Sequence, residues 1–339
     1  MIRRLDLGSV PPLRSQAIYH GLAAAMAEAT PDTIVFCAPA APYFCVGYHQ
    51  QGAEVLDLAR CRREGWPVYR RRIGGGAVYL DGSQLFYQVI VHRSRAPVMV
   101  ERIYRTYLAG PVEALRRLGL DAALRGVNEV EVDGLRIAGT GGGRLGEAVV
   151  VVGNFLFDFP ARVMARAWRV PSPSFRRLAR EGLTRYLTTL RRELGVTPTM
   201  ARVTALLAEC YEATLGRRLI PGALSAREED AIARAEADLS ADAPVPGNAG
   251  DSLRGLKIAG DTYVREHTLP TSSGVLRLTA RLRGTRLDAI EIGPRRWRPL
   301  ARALAGSLLT EEALLGRVVG APEGAPLVDA LLAMSRAAR

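Results

Sequence analysis

Arg70, Arg71 and Arg72 run through Ile73 into three consecutive glycines, Gly74, Gly75 and Gly76, and on through Ala77 and Val78 to an acid at Asp81. Three glycines in a row leave the backbone free to take positive φ and remove every Cβ from its surface. Such a stretch lays bare N–H groups against an anion or a flat ligand, and arginines beside it supply fixed positive charge. The chemistry suggested is the holding of a phosphate or a carboxylate. The spacing is not that of a Walker loop, which needs Gly-Lys-Ser/Thr and a following helix. Here the residues that follow, Ala77-Val78-Tyr79-Leu80 and then Gln84 to Val91 beyond a turn at Asp81-Gly82-Ser83, read as strands. A plain glycine-rich hairpin turn is the competing reading of the same residues.

Other residues of chemical interest are scattered. His49 follows a strand end at Gly47-Tyr48 and reads equally as a loop residue or a ligand contact. Cys37, Cys45, Cys61 and Cys210 show neither metal-ligand nor CxxC spacing. Lys257 is the only lysine among 46 Lys+Arg residues. Its setting, Gly255-Leu256-Lys257-Ile258-Ala259-Gly260, echoes Gly134-Leu135-Arg136-Ile137-Ala138-Gly139, an echo too short to establish a repeat.

The elements that must position these residues follow from length and pattern. A chain of 339 residues, 48% hydrophobic, suggests one large domain and a small one. The balance of 46 basic against 34 acidic residues, net +12, favours acidic partners. No basic tract with interleaved aromatics argues for nucleic acid, and no apolar run is long enough to span a membrane. Periodicity predicts helices over 15–29, 99–118 (kinked or restarted at Pro111), 197–215 and 226–239. Strands are predicted at 33–38, 43–48, 127–132 and 148–157, with Thr140 to Arg144 as a second flexible glycine stretch and loops and short helices over 160–192. From 274 to 283 leucines and alanine alternate with Arg277, Thr279, Arg281 and Arg283, predicting a half-exposed strand that turns back at Gly284-Thr285. A Thr310-capped helix follows.

With these features placed, their order resembles the biotin/lipoate A/B protein ligase family, and within it the lipoate–protein ligases. These carry Arg-Arg-x-x-Gly-Gly-Gly-Ala-Val and then an acid, matched by Arg70, Arg71, Gly74, Gly75, Gly76, Ala77, Val78 and Asp81. The family's Asn-Asp pair looks like Asn128-Glu129, and its Leu-x-x-Leu like Leu187 to Leu190. Its His-Asp appears as Leu80-Asp81, its Gly-Asn as Ser83-Gln84, and its His-Gly-Thr as Val152-Gly153-Asn154. The lysine of its Lys-x-Ser-Gly falls at Arg136, ahead of Gly139.

The resemblance implies an α+β fold: a mixed-sheet catalytic domain over 1–239, a linker over 240–252 and a small ββαα accessory domain over 253–339. It implies ATP-dependent activation of lipoate or octanoate to an acyl-adenylate, then transfer to a lysine of an acidic lipoyl-domain protein. Nucleotide and substrate contacts would come from Arg70, Arg71, Gly74 to Val78, Asp81, Asn128, Gly139 and Gly153, and Mg²⁺ would sit at Asn128 and Glu129. The expected setting is a cytoplasmic monomer bound to neither membrane nor nucleic acid. Three readings stay open: Arg136 takes the lysine's role, Lys257 folds into the site to take it, or the chain binds acyl groups or lipoyl domains without ligating. An octanoyl transferase, working through a thiol or lysine without ATP, is a related class. Cys45 and Cys210 are its candidate nucleophiles, with core packing as their other role.

Overall fold

The computed structural model describes residues 1–240, 255–272 and 274–336. Two compact units emerge, one from residues 1–160 and 188–240, the other from 161–187 and the described residues after 254. Residues 161–187, expected within the first module, thus belong with the second.

In the first unit the chain runs β1 (Ile2–Val10), α1 (Pro12–Ala24), β2 (Thr33–Pro39), β3 (Tyr43–Val46), α2 (Gly52–Val55), α3 (Leu58–Arg63), β4 (Val68–Arg70), β5 (Val78–Leu80), β6 (Gln84–His92), α4 (Val100–Arg117), β7 (Ala122–Arg125), β8 (Glu129–Val132), β9 (Leu135–Leu145) and β10 (Ala148–Leu156). Between β10 and the next stretch lie two helices of the second unit, α5 (Ala161–Ala167) and α6 (Pro173–Tyr186). The first unit then resumes with α7 (Leu190–Leu194), α8 (Met200–Leu215), β11 (Leu219–Pro221) and α9 (Ala226–Ser240).

Eight strands form one mixed sheet in the order β11-β1-β2-β6-β10-β9-β8-β7, parallel across β11-β1-β2 and antiparallel beyond. A three-stranded sheet, β4-β3-β5, lies beside it. β6 is buried along its whole length, as its run of apolar residues requires of a central strand covered on both faces. One face packs on α4 and α8 through Tyr107, Leu115, Val203 and Leu207; the other packs on α1, α9 and the small sheet through Ile18, Leu22, Tyr43 and Ile232.

Several expectations shift. β1 escaped the sequence reading because its register slips between Asp6 and Gly8, which breaks the alternation. α4 continues through Pro111 as one element. α8 starts at Met200 rather than at 197, capped by Thr199, whose hydroxyl accepts the Arg202 N–H at 3.3 Å. Thr140 to Gly143 is no flexible loop but the middle of β9, paired with β10 from Thr140–Gly153 to Gly143–Val150.

The second unit holds an antiparallel sheet in the order β12 (Leu256–Ala259), β13 (Thr262–Thr271), β14 (Gly274–Arg283), β15 (Arg286–Gly293), followed by α10 (Arg298–Leu304), α11 (Glu311–Leu315) and α12 (Gly324–Arg336). The expected ββαα module is therefore four strands and three α-helices, joined by α5 and α6. Leu276, Leu278 and Leu282 face Leu304, Leu314 and Leu331 as the alternation predicted. The other side of β14 is solvated only in part: Arg277 and Arg283 are exposed, but Arg281, 3% exposed, donates to the Leu178 carbonyl of α6 at 2.9 Å and pairs with Asp288. The linker expected over 240–252 lies, from 241 on, outside the described residues.

Candidate active site

The arginine–glycine stretch leaves β4 and crosses to β5 as a loop stapled to the end of β3. Arg71 N donates to the Val46 carbonyl at 3.1 Å, and Tyr48 N to the Ile73 carbonyl at 3.0 Å. Within the loop Arg71 is 8% exposed and turned inward. Its Nε and Nη2 donate to the Gly74 carbonyl at 3.2 and 2.9 Å, Nη2 also to Gly76 at 2.8 Å, and Nη1 to the Cys45 carbonyl at 3.2 Å. A planar fork of five donors suits this task; a lysine ammonium does not. Arg70 acts alike one residue earlier, donating to the carbonyls of Tyr48 (3.3 Å) and Gln50. Both guanidinium groups thus serve backbone carbonyls. Carbonyls drawn into a tight loop need donors, and these side chains supply them.

The consequence falls on the amides. Gly74 and Gly76 turn their carbonyls to Arg71, and among the described residues no acceptor meets the N–H groups of Gly74, Gly75 and Gly76. Gly75, at φ +101°, is in the left-handed region, and both Gly75 and Gly76 are exposed. Successive amides without acceptors are a site for an anion.

The loop lies against the second glycine tract. A Cβ on Gly141 would meet Ile73 Cδ1 at 3.4 Å and the Gly74 carbonyl at 3.9 Å; one on Gly143 would meet Ile73 Cγ2 at 3.6 Å. On the opposite face a Cβ on Gly142 would meet the Tyr104 hydroxyl at 3.1 Å. Two bare backbones thus face each other with Ile73 between them.

Beside this wall a polar group gathers around Gly139. Arg136 Nε lies 3.2 Å from Glu129 Oε2 and donates to the Ala138 carbonyl at 3.1 Å. A Gly139 Cβ would stand 2.5 Å from Asn154 Oδ1 and 3.9 Å from Arg136 Nη2, so its absence leaves room between the two side chains. Asn154 donates to Gln84, which donates to the Tyr79 carbonyl of β5 at 3.1 Å. This chain connects the Arg136 end of β9 to the strand that leaves the glycine loop.

The remaining expected residues make the following contacts within the fold. Asp81 closes the turn before β6, accepting the Ser83 N–H at 2.9 Å. Val78 pairs with Cys45 on β3, and Ala77 is half-buried. Gly153 packs beneath Tyr87, whose ring would stand 2.3 Å from a Cβ there. Asn128 accepts at its carbonyl from the Thr140 hydroxyl. The Asn128–Glu129 pair does not fit a magnesium site built by the protein: Glu129 faces a guanidinium, and no three His, Cys, Asp or Glu side chains gather among the described residues. Lys257 is exposed on β12, the edge of the second unit's sheet.

All four cysteines are buried, none more than 1% exposed. Burial pushes the Cys37 thiol up to about 12 and raises Cys45, Cys61 and Cys210 as well, the last two with help from nearby carboxylates; guanidinium groups oppose this at Cys45 (Arg71), Cys210 (Arg117) and Cys61 (Arg60) without reversing it. None is poised as a thiolate. Gln84 and Asn154 support the site without having been named as site residues; their signal in the sequence was their place in the Ser83-Gln84 and Val152-Gly153-Asn154 matches.

Residues 11–212, more than half the chain, match the model of the lipoyl protein ligase A/B catalytic domain. The chain belongs to that family. The octanoyltransferase LipM of Symbiobacterium thermophilum is 28% identical over 252 residues, covering 67% of this chain and 91% of its own. Two solved structures share the fold. The bipartite lipoate protein ligase of Thermoplasma acidophilum, described with its E2 lipoyl domain, superposes with a TM-score of 0.66 at 22% identity over 71% of this chain and 95% of its own. A lipoate-protein ligase A bound with ATP gives 0.59 at 21% identity over 70% and 94%. No helix among the described residues is long and apolar enough to cross a membrane.

Proposed function

We propose that the chain is a lipoate–protein ligase, activating lipoate or octanoate with ATP and passing the acyl group to a lysine of an acidic lipoyl-domain protein. The observation that carries this reading is the burial of every cysteine. An acyl-enzyme route needs an accessible nucleophile, and no thiol here is accessible or acidified. Activation as a mixed anhydride needs none.

In the first step a carboxylate oxygen attacks the α-phosphate and pyrophosphate leaves; in the second the lysine amine attacks the acyl carbonyl and AMP leaves. The free amides of Gly74 to Gly76 suit the charge on carboxylate and phosphate. Arg136, fixed through Nε by Glu129, offers its Nη groups beside Gly139. An acyl chain would pack against Ile73 and the glycine-lined β9, with burial contributing roughly 0.8 kcal/mol per CH₂. Magnesium would enter with the nucleotide. The net charge of +12 suits an acidic acceptor. A cytoplasmic monomer, with catalysis in 1–239 and an accessory role for 253–339, belongs to the same proposal.

Incubation with ATP, Mg²⁺ and octanoate or lipoate, followed by mass spectrometry, tests it: acyl-AMP is expected. A second reading, octanoyl transfer without ATP, is favoured by the similarity to LipM. Acceptor labelling from an octanoyl thioester in the absence of ATP, with no acyl-AMP under any condition, would establish that reading instead.

A further inference from the structure

The glycine loop is held from behind by a residue that takes no part in the site. His20 of α1 is 6% exposed, and both its ring nitrogens are engaged. Nδ1 lies 2.8 Å from the Gln16 carbonyl, an acceptor only, so Nδ1 carries the proton. Nε2 lies 3.0 Å from the backbone N of Arg72, a donor only, so Nε2 accepts. One neutral tautomer satisfies both partners, and an imidazolium satisfies only the first. Burial pushes the imidazole down to about 4, with Arg72 and Arg71 adding to the effect and the Gln16 carbonyl opposing it.

Helix α9 completes the grip. It runs so close to α1 that a Cβ on Gly21 would stand 2.5 Å from Ile232 N. It also brings Asp238 to the Arg72 side chain at 2.9 Å. Arg72 is therefore held at its main chain by α1 and at its side chain by α9. Only Ile73 separates it from the glycines. Helix α9 lies beyond the 11–212 stretch that the family model matches.

We propose that His20 is a positioning residue for the glycine loop: by accepting the Arg72 N–H it fixes the backbone from which the amides of Gly74 to Gly76 are presented. It touches no substrate, since both nitrogens are committed inside the fold. The effect on turnover rests on the ligase reading; the effect on the loop does not.

The test uses the full chain. Side-chain ¹⁵N NMR of the wild type at pH 7 is expected to show His20 as the neutral Nδ1–H tautomer. Hydrogen exchange of the Arg71 amide, bonded to the Val46 carbonyl, and of the Tyr48 amide, bonded to the Ile73 carbonyl, is expected to quicken at least tenfold in His20→Leu, with β6 and β10 unchanged. His20→Gln, which keeps one donor and one acceptor, is expected to restore most of the protection. Acyl-AMP formation should follow the same order, with KM for the acyl substrate rising in His20→Leu. Unchanged exchange of the Arg71 and Tyr48 amides in His20→Leu overturns the proposal. So does an imidazolium or Nε2–H tautomer in the wild type, a measurement that stands even if the leucine variant fails to fold. Faster loop exchange in a protein whose wild type forms no acyl-AMP keeps the loop claim and refutes the ligase reading alone.

Discussion

The carbonyl oxygen of Gly75 stands 1.9 Å from the point that a Cβ on Gly47 would take. The two glycines meet backbone to backbone, and the obstacle is not a flexible side chain that can swing away. Gly47→Ala is expected to displace the loop and abolish acyl-AMP formation. The sheet behind it should survive, with a loss of about 1–3 kcal/mol typical of overpacking. Circular dichroism melting alongside the acyl-AMP assay checks this; an active Gly47→Ala protein would show that the loop works in another conformation.

Arg71→Lys separates charge from geometry. The lysine keeps the positive charge, yet one nitrogen cannot serve the carbonyls of Gly74, Gly76 and Cys45 together. Stability should fall by about 2–4 kcal/mol, as charge-assisted hydrogen bonds to a largely buried group are lost. Acyl-AMP formation should fall on the order of 100-fold, since tenfold corresponds to about 1.4 kcal/mol. Wild-type rates in the lysine variant would mean that Arg71 works through its charge after all.

Arg136→Ala removes a guanidinium paired with Glu129, whose side chain is 12% exposed. A loss of about 1–3 kcal/mol is expected from the lost charge-assisted contact, together with loss of activity. Lys257→Ala, at an exposed strand position, should melt within about 0.5 kcal/mol of the wild type and stay active. The opposite ranking in a side-by-side assay would transfer the catalytic cation to Lys257.

Acid should loosen the loop before it unfolds the sheet. His20 has its folded pKa at about 4, below the ordinary value of 6.5. The unfolded chain therefore binds the proton more readily. The contribution is intact above about pH 6.5, declines as pH falls toward 4, and is lost below that, a change of about 3 kcal/mol. The charges around this imidazole are Arg71 and Arg72, with Asp238 paired to the latter. Denaturant melts between pH 7 and 4 should show this slope in the wild type and a flatter one in His20→Gln.

The buried thiols offer a test that needs no mutation. Native protein treated with iodoacetamide is expected to stay unlabelled and fully active, whereas denatured protein should take up four labels. Rapid native labelling of one cysteine with loss of acyl transfer would identify a nucleophile and restore the acyl-enzyme route.

The sequence made the glycine motif and the β14–β15 hairpin plain, because both depend on local pattern. Strict alternation set β14 at Gly274–Arg283 to the residue. It could not reveal that Arg281 is buried, since that depends on α6, about a hundred residues away. Thr140 to Gly143 read as flexible because glycine is a general signal for loops. It is a strand because it pairs along β10, and glycine is required at Gly142, where a Cβ would stand 2.6 Å from the Val150 carbonyl and 3.1 Å from the Tyr104 hydroxyl. Arg71 announced its charge and concealed its use, for nothing nearby in the chain says which carbonyls it will meet. His20 gave no signal at all, its partner lying 52 positions further on.

The Arg72–Asp238 pair joins positions 166 apart in the chain. A growing polypeptide thus emerges with its glycine run long before α9 exists to brace it. Contacts of such wide separation form late, because closing the intervening length costs entropy first. Chains ending before residue 226 and released from the ribosome should therefore be cut within 71–77 by protease, and the full chain should resist. Maturation of the site is then timed by synthesis of a helix that has no part in the chemistry.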